Sequence, residues 1–140
     1  MLQFVLVGCG RIGRRHAEII SRFGRLLAVC DTDSKKADGF AREFGAKAFY
    51  DVSEMFGNSS GADVAVICTP NGLHAAHSIL ALQSGCHVLC EKPMALTSTQ
   101  CLNMMEAAEK AGRHLFVVKQ NRYNPPVDAV KELIDQGRLG

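Results

Sequence analysis

The sequence has no long apolar run, no strong excess of charge and no CxxC pair, and each absence excludes a class of protein. Without an apolar run of roughly 18 to 20 residues, we expect no membrane partner. The N-terminus lacks the charged lead, apolar stretch and small-residue cleavage site of a signal peptide. A formal net charge of +2 is too small to indicate nucleic acid as a partner.

The six cysteines predict buried thiols rather than disulfides or a metal site. Without a CxxC pair, neither a zinc site nor a thioredoxin-type site is expected. Cys30, Cys68 and Cys90 lie in apolar runs, where cysteine acts as a small hydrophobic residue. His74 and His77 share a predicted helix face, but no third metal ligand is evident. We therefore expect reduced thiols, a cytoplasmic location and no metal.

Short apolar runs alternate with helical stretches along the whole chain. The predicted strands cover residues 3–8, 26–31, 47–50, 63–68, 87–91 and 115–119. The predicted helices cover residues 11–23 and 34–44, a brief stretch after Asp51, residues 73–84, residues 97–111, and a last segment from Pro125 to Gly137. This alternation predicts an α/β fold, with a parallel sheet covered by helices on both faces. Right-handed crossovers favour a doubly wound Rossmann sheet in the order 3-2-1-4-5-6.

The segment GCGRIG, residues 8–13, follows the first predicted strand and begins the first predicted helix. Gly8 permits a tight turn, Gly10 lets the backbone approach a pyrophosphate, and Gly13 lets the helix pack closely on the strand. Arg11 and Ile12 begin the helix, whose N–H groups and positive dipole end face the phosphates. In this context the motif predicts a dinucleotide site.

Asp31 ends the second predicted strand, about 20 residues beyond the glycines. A carboxylate at this position accepts hydrogen bonds from the adenosine ribose and repels a 2′-phosphate, so it favours NAD over NADP. Asp33 strengthens that preference if it lies nearby, whereas Lys35 and Lys36 weaken it. The alternative role for Asp31 is that of a helix-capping acid.

Polar clusters follow the fourth, fifth and sixth predicted strands, at residues 69–71, 91–93 and 119–122. Because ligands of open α/β sheets bind outside the carboxyl ends of the strands, these clusters predict one crevice. Lys92 is the candidate catalytic residue. It could polarise a substrate hydroxyl, or take its proton, as hydride leaves the same carbon. The alternative is a surface lysine paired with Glu91.

The segments GCGRIGRRH, CTPNGLH and GCHVLCEKPMAL, together with the strand-end Asp31, resemble the N-terminal domain of the Gfo/Idh/MocA oxidoreductases. The resemblance implies NAD as cofactor, the glycine turn as its pyrophosphate site, and Lys92 at the substrate hydroxyl. Asn121 and Arg122 would face the substrate, where the forked donors of Arg122 suit a carboxylate or phosphate. The other implied cofactor contacts are Thr69, Pro70, Asn71, His74, Glu91 and Gln120.

Within that family, residues 116–127 are similar to bacterial enzymes that oxidise the 3-hydroxyl of a UDP-N-acetyl-amino-sugar uronate for surface polysaccharide synthesis. Two alternatives stay open: a dehydrogenase of a free polyol or sugar such as an inositol, and a non-catalytic nucleotide-sensing module.

Members of the family are longer than this chain and are usually oligomers. The resemblance therefore implies a Rossmann domain over residues 1–122 and a connecting helix over residues 123–140. That helix would lead toward a C-terminal substrate domain that this chain lacks. We expect the chain by itself to bind NAD but to turn over little sugar, and the full-length protein to be a homo-oligomer.

Overall fold

The computed structural model describes residues 1–139, in which six strands alternate with six helices. The strands are β1 (Leu2–Val7), β2 (Gly24–Cys30), β3 (Lys47–Phe49), β4 (Val64–Ile67), β5 (His87–Cys90) and β6 (Leu115–Val117). The helices are α1 (Arg11–Phe23), α2 (Ser34–Phe44), α3 (Val52–Asn58), α4 (His74–Gln83), α5 (Ser98–Ala111) and α6 (Pro125–Asp135).

The six strands form one parallel sheet in the order β3-β2-β1-β4-β5-β6, which confirms the predicted doubly wound topology. Most element bounds differ from the predicted ones by one or two residues, and two of the differences lie next to the polar loops. The helix expected over residues 73–84 begins with a 3₁₀ turn at Asn71–Leu73 and becomes α-helical only at His74. The sixth strand ends at Val117 rather than at residue 119, so Lys119 lies in the following loop.

The apolar core forms two layers, one on each face of the sheet. In β1, Val5 and Val7 face the layer that contains Met55, Leu82 and Met104. Leu6 faces the opposite layer, which includes residues of α1 and α2. Because successive side chains of a strand point to opposite faces, a strand buried on both faces is apolar at every position. This burial explains the continuous apolar runs in the sequence.

Capping residues define several of the helix ends. The Asp51 carboxylate accepts a hydrogen bond from Glu54 N at 2.8 Å, and the Thr97 hydroxyl accepts one from Gln100 N at 3.2 Å. These contacts satisfy one first-turn N–H group in α3 and one in α5. Gly45 ends α2 in the left-handed conformation. No helix among residues 1–139 is long and apolar enough to cross a membrane.

All six cysteines are free, and every one except Cys101 is buried; Cys30, Cys68 and Cys90 are buried as their apolar runs predict. Burial raises the pKa of Cys9 and of Cys68 to about 12, and that of Cys30 and of Cys90 to about 11. These thiols are therefore neutral at physiological pH and contribute to the core as small apolar groups.

The turn between β1 and α1 lies against two neighbouring strands, and this contact leaves no room for side chains. Gly8 has a φ of 101°, and a Cβ added there would lie 2.5 Å from the carbonyl oxygen of Cys68. A Cβ added at Gly13 would lie 2.1 Å from the carbonyl oxygen of Gly8. The glycines therefore let α1 begin directly at the carboxyl end of the sheet.

We predict that Gly13→Ala destabilises the fold, because the added methyl group must displace backbone. Overpacking of this kind costs about 1–3 kcal/mol. The matched control is Gly39→Ala in α2, where an added Cβ meets nothing within 4 Å. The control should gain about 0.5–1 kcal/mol from helix propensity. Urea unfolding of both variants checks this, and a Gly13→Ala chain as stable as the unmodified chain would contradict the packing described.

We also predict that the buried thiols resist alkylation at pH 8. A pKa raised from 9.0 to 11 or 12 lowers the thiolate fraction, so iodoacetamide should react roughly 100- to 1000-fold more slowly than with the urea-unfolded chain. Below about pH 9 these thiols are neutral in both the folded and the unfolded chain, so their contribution to the free energy of unfolding is complete. It falls as the pH rises toward the pKa values of the folded chain, because the thiols of the unfolded chain ionise first. Mass spectrometry gives the rates, and equal rates in folded and unfolded chains would refute the burial.

Candidate active site

Three adjoining clefts run along the carboxyl ends of the strands and form one crevice. The glycine-turn section, about 560 Å³, includes Gly8, Gly10 and Asp31 in its lining. The middle section, about 550 Å³, shares Arg11, Ile12, Cys68 and Thr69 with it. The lysine section, about 480 Å³, shares Lys92 and Gln120 with the middle section. The structure therefore brings the predicted polar clusters together at one edge of the sheet, as strand topology requires.

The N-terminus of α1 opens into the glycine-turn section. No side chain caps this end, so the first-turn N–H groups of Arg11, Ile12 and Gly13 lack partners within the helix. A Cβ added at Gly10 would meet nothing within 4 Å, so the space beside the turn is open. Free amides, a positive dipole end and open space together fit a diphosphate.

Asp31 lies beside this turn and holds it in place. One carboxylate oxygen accepts a hydrogen bond from Cys9 N at 2.8 Å, and the other accepts one from Asp33 N at 2.9 Å. Each carboxylate oxygen can accept a further hydrogen bond, so the side chain can still bind ribose hydroxyls. Asp33, not Asp31, caps α2 and pairs with Lys36 at 3.2 Å. The helix-capping alternative for Asp31 is therefore wrong.

Thr69 and Pro70 lie in the loop that follows β4. Both line the glycine-turn section, while Asn71 lines the middle section. The Thr69 hydroxyl lies 3.2 Å from His77 Nδ1. Burial lowers the pKa of His77, so its ring is neutral at physiological pH. The predicted contacts at this strand end thus face the crevice.

Glu91 is 8% exposed and is held by two contacts. One carboxylate oxygen lies 2.8 Å from His16 Nε2, and the other accepts a hydrogen bond from the backbone N–H of Lys92 at 3.2 Å. These contacts join α1 to the end of β5. The Lys92 ammonium forms no ion pair with Glu91, so the alternative of a paired surface lysine is wrong.

His74 borders the middle section but is only 1% exposed. Its Nδ1 lies 2.7 Å from the carbonyl oxygen of Pro93, and its Nε2 lies 2.8 Å from that of Thr69. Both ring nitrogens are therefore engaged by backbone. The sequence placed His74 among the residues that line the nicotinamide; in the structure it borders the middle section, and its ring links the loops after β4 and β5.

Lys92 reaches both the middle and the lysine sections, and its side chain is exposed. The Lys92–Pro93 peptide bond is cis. Asn121, Arg122 and Lys119 line the lysine section with it. Among residues 1–139, no carboxylate lies within ion-pair distance of Lys92, Lys119 or Arg122. This section is therefore rich in uncompensated positive charge.

Arg15 lines the middle section although the sequence does not identify it as a site residue, whereas Lys119, which lines the lysine section, belongs to the predicted cluster at residues 119–122. The signal for Arg15 was its position four residues after Arg11, which puts both on one helix face. Arg14 points elsewhere and donates to both carboxylate oxygens of Glu43, at 2.6 and 2.9 Å.

The doubly wound sheet, the glycine turn at α1 and the carboxylate at the end of β2 define a dinucleotide-binding Rossmann domain. Comparison with known families shows which family of such domains this chain belongs to. Residues 2–119 match the Gfo/Idh/MocA family, described as an oxidoreductase family with an NAD-binding Rossmann fold. The chain belongs to this family, and its cofactor is NAD.

Three known proteins illustrate the similarity. The WlbA dehydrogenase from Bordetella pertussis, crystallised with NADH and UDP-GlcNAcA, has a TM-score of 0.93 and 40% identity, over 99% of this chain and 43% of its own. The 1-carboxy-3-chloro-3,4-dihydroxycyclohexa-1,5-diene dehydrogenase of Comamonas testosteroni is 38% identical over 87% of this chain and 31% of its own length. The inositol 2-dehydrogenase of Rubrobacter xylanophilus is 35% identical over 96% of this chain and 40% of its own length. The chain thus spans less than half the length of each.

We predict that Asp31→Asn abolishes the preference for NAD over NADP. The carboxylate should favour NAD by about 1–3 kcal/mol, since hydrogen bonds to a charged group are lost in the variant. Calorimetric titration with both cofactors measures this difference. The matched control is Asp63→Asn, because Asp63 also accepts a backbone N–H, from Gln3 at 2.7 Å, but precedes β4 at the opposite edge of the sheet. Equal affinity of the unmodified chain for NAD and NADP would contradict the role of Asp31.

Proposed function

We propose that this chain holds NAD while hydride is removed from a hydroxyl-bearing carbon of an anionic sugar, and that the substrate is a UDP-N-acetyl-amino-sugar uronate oxidised at its 3-hydroxyl. The observation that supports this proposal is the lysine section, where Lys92, Lys119 and Arg122 line one cleft without a carboxylate partner. Uncompensated cations in a cleft attract an anionic ligand.

The crevice would accommodate NAD from one end to the other. Its diphosphate would lie at the amides of α1, and its adenosine ribose at Asp31. The nicotinamide would then extend into the middle section, whose lining includes Asn71 and Gln120. When bound there, NAD supplies a hydride acceptor next to Lys92.

Lys92 is the residue that would act on the substrate. Its exposed side chain lines both the middle and the lysine sections. As a neutral amine, its Nζ would take the proton of the substrate hydroxyl while the hydride leaves the same carbon for the nicotinamide, so that a carbonyl forms. Glu91 would act only through the backbone, by holding the Lys92 N–H. A module that only senses NAD would have no use for this lysine.

The choice of an anionic substrate rests on charge. Arg122 can hold a carboxylate or phosphate through two parallel N–H bonds, and Lys119 adds a second cation. The relative crystallised with UDP-GlcNAcA binds a substrate of this class. A free inositol, the substrate named for another relative, is neutral and would leave these cations uncompensated.

Residues 123–140 would connect the cofactor domain to a further substrate domain. Within the described residues, α6 leaves Val127, Val130 and Ile134 exposed at 43, 49 and 55%. An apolar helix face of this kind normally packs against another domain or subunit. The same proposal includes a homo-oligomeric full-length protein, which the exposed apolar face of α6 supports, and a cytoplasmic location, which the six free thiols support.

The test is binding of a UDP-N-acetyl-amino-sugar uronate to the NADH-loaded chain. We predict that Lys119→Ala/Arg122→Ala weakens binding by at least about tenfold and reduces its salt dependence, because charge-assisted hydrogen bonds are lost. The control Arg25→Ala/Lys110→Ala removes the same charge elsewhere and should leave affinity within about twofold. Equal binding by both double variants, or tighter binding of myo-inositol than of the sugar nucleotide, would overturn the proposed substrate.

A further inference from the structure

The side chains of His16 and Glu91 form a pair in the wall of the middle section, where they are 15% and 11% exposed. His16 Nε2 lies 2.8 Å from Glu91 Oε1. A carboxylate oxygen can only accept hydrogen bonds, so this contact requires an N–H at Nε2. The pair therefore fixes the ring nitrogen that carries the donor, and it joins α1 to the residue that follows β5.

The Glu91 carboxylate is held at two points and still has acceptor positions free. Oε1 is held by His16, and Oε2 accepts the backbone N–H of Lys92 at 3.2 Å. A carboxylate can accept about four hydrogen bonds, so about two positions remain. Because Glu91 lines the middle section, a hydrogen-bond donor in that section can reach them.

The free acceptor positions suit the hydroxyl groups of a ribose. In the proposed function the nicotinamide half of NAD extends into the middle section, and its ribose carries hydroxyl donors. We propose that His16 is a positioning residue for this half of the cofactor, because it holds Glu91 where the carboxylate accepts those hydroxyls. The inference rests on the proposed placement of the nicotinamide. Toward the substrate, Glu91 acts only through the backbone of Lys92.

His16 also keeps Glu91 away from the cations that line the same section. Arg15 and Lys92 both line it, yet among residues 1–139 neither forms an ion pair with Glu91. Without the His16 donor, one oxygen of this largely buried carboxylate would lack a partner, which is costly. The carboxylate would then turn toward one of the two cations, and its acceptor positions would leave the ribose.

The adenosine half of the site does not depend on His16. Asp31 is held by the backbone N–H groups of Cys9 and Asp33, not by the pair of His16 and Glu91. Loss of His16 should therefore weaken one half of the cofactor site and leave the other unchanged.

Calorimetric titration of the chain with NAD and with ADP separates the two halves, since ADP lacks the nicotinamide ribose. We expect His16→Phe to weaken NAD binding about tenfold and ADP binding by less than about twofold. His16→Gln keeps an N–H donor for Glu91 and should restore NAD affinity to within about threefold of that of the unmodified chain. Equal losses for both ligands in His16→Phe, or a His16→Gln chain that binds NAD as weakly as His16→Phe, would overturn the positioning role.

NMR of the unmodified chain distinguishes a failure of this inference from a failure of the proposed placement. NAD should shift the amide signals of Glu91 and Lys92 more than ADP does. Equal shifts with both ligands would remove the nicotinamide from the middle section, and the inference with it. If NAD does shift them more, long-range ¹H–¹⁵N spectra at pH 7.5 should show a proton on His16 Nε2. An Nε2 without a proton would overturn the role of His16 alone, even if His16→Phe does not fold.

Discussion

The close approach of the β1–α1 turn to the neighbouring strands is the constraint on which the rest of the structure depends. Gly8 donates its N–H to the carbonyl of Cys30 at 2.8 Å, and its Cα lies against the carbonyl of Cys68. The turn is therefore fixed between β2 and β4. With the turn in that position, the free amides of α1 point along the carboxyl edge of the sheet, where the polar loops of β4, β5 and β6 also end.

The polar residues around the crevice have two different tasks. One group of side chains forms hydrogen bonds to the protein itself and so fixes the shape of the crevice walls. Its members are Asp31, Glu91 and His74. Lys92 and Arg122 have no charged partner among residues 1–139 and face the open space. Such a division suits a binding site, because rigid walls hold the ligand-facing groups in place before a ligand arrives.

The fold was predictable because local patterns and topology agree at every level. Apolar runs, capping residues and glycines predict the helices and strands, and the rule of right-handed crossovers predicts the strand order. The convergence of the strand-end clusters followed from the same topology. The roles of His74 and Glu91 did not follow, since their partners, Pro93 and His16, are 19 and 75 residues away in sequence. Only the folded chain brings these groups into contact.

The central claim is that a dinucleotide places its diphosphate on the amides at the start of α1. The direct measurement is a ¹H–¹⁵N NMR titration of the chain with NAD. We predict saturable shifts of the amide signals of residues 10–13, accompanied by shifts in the loops that line the middle section. An NAD titration that leaves those amides unchanged, or that shifts only residues at the opposite edge of the sheet, would contradict the account.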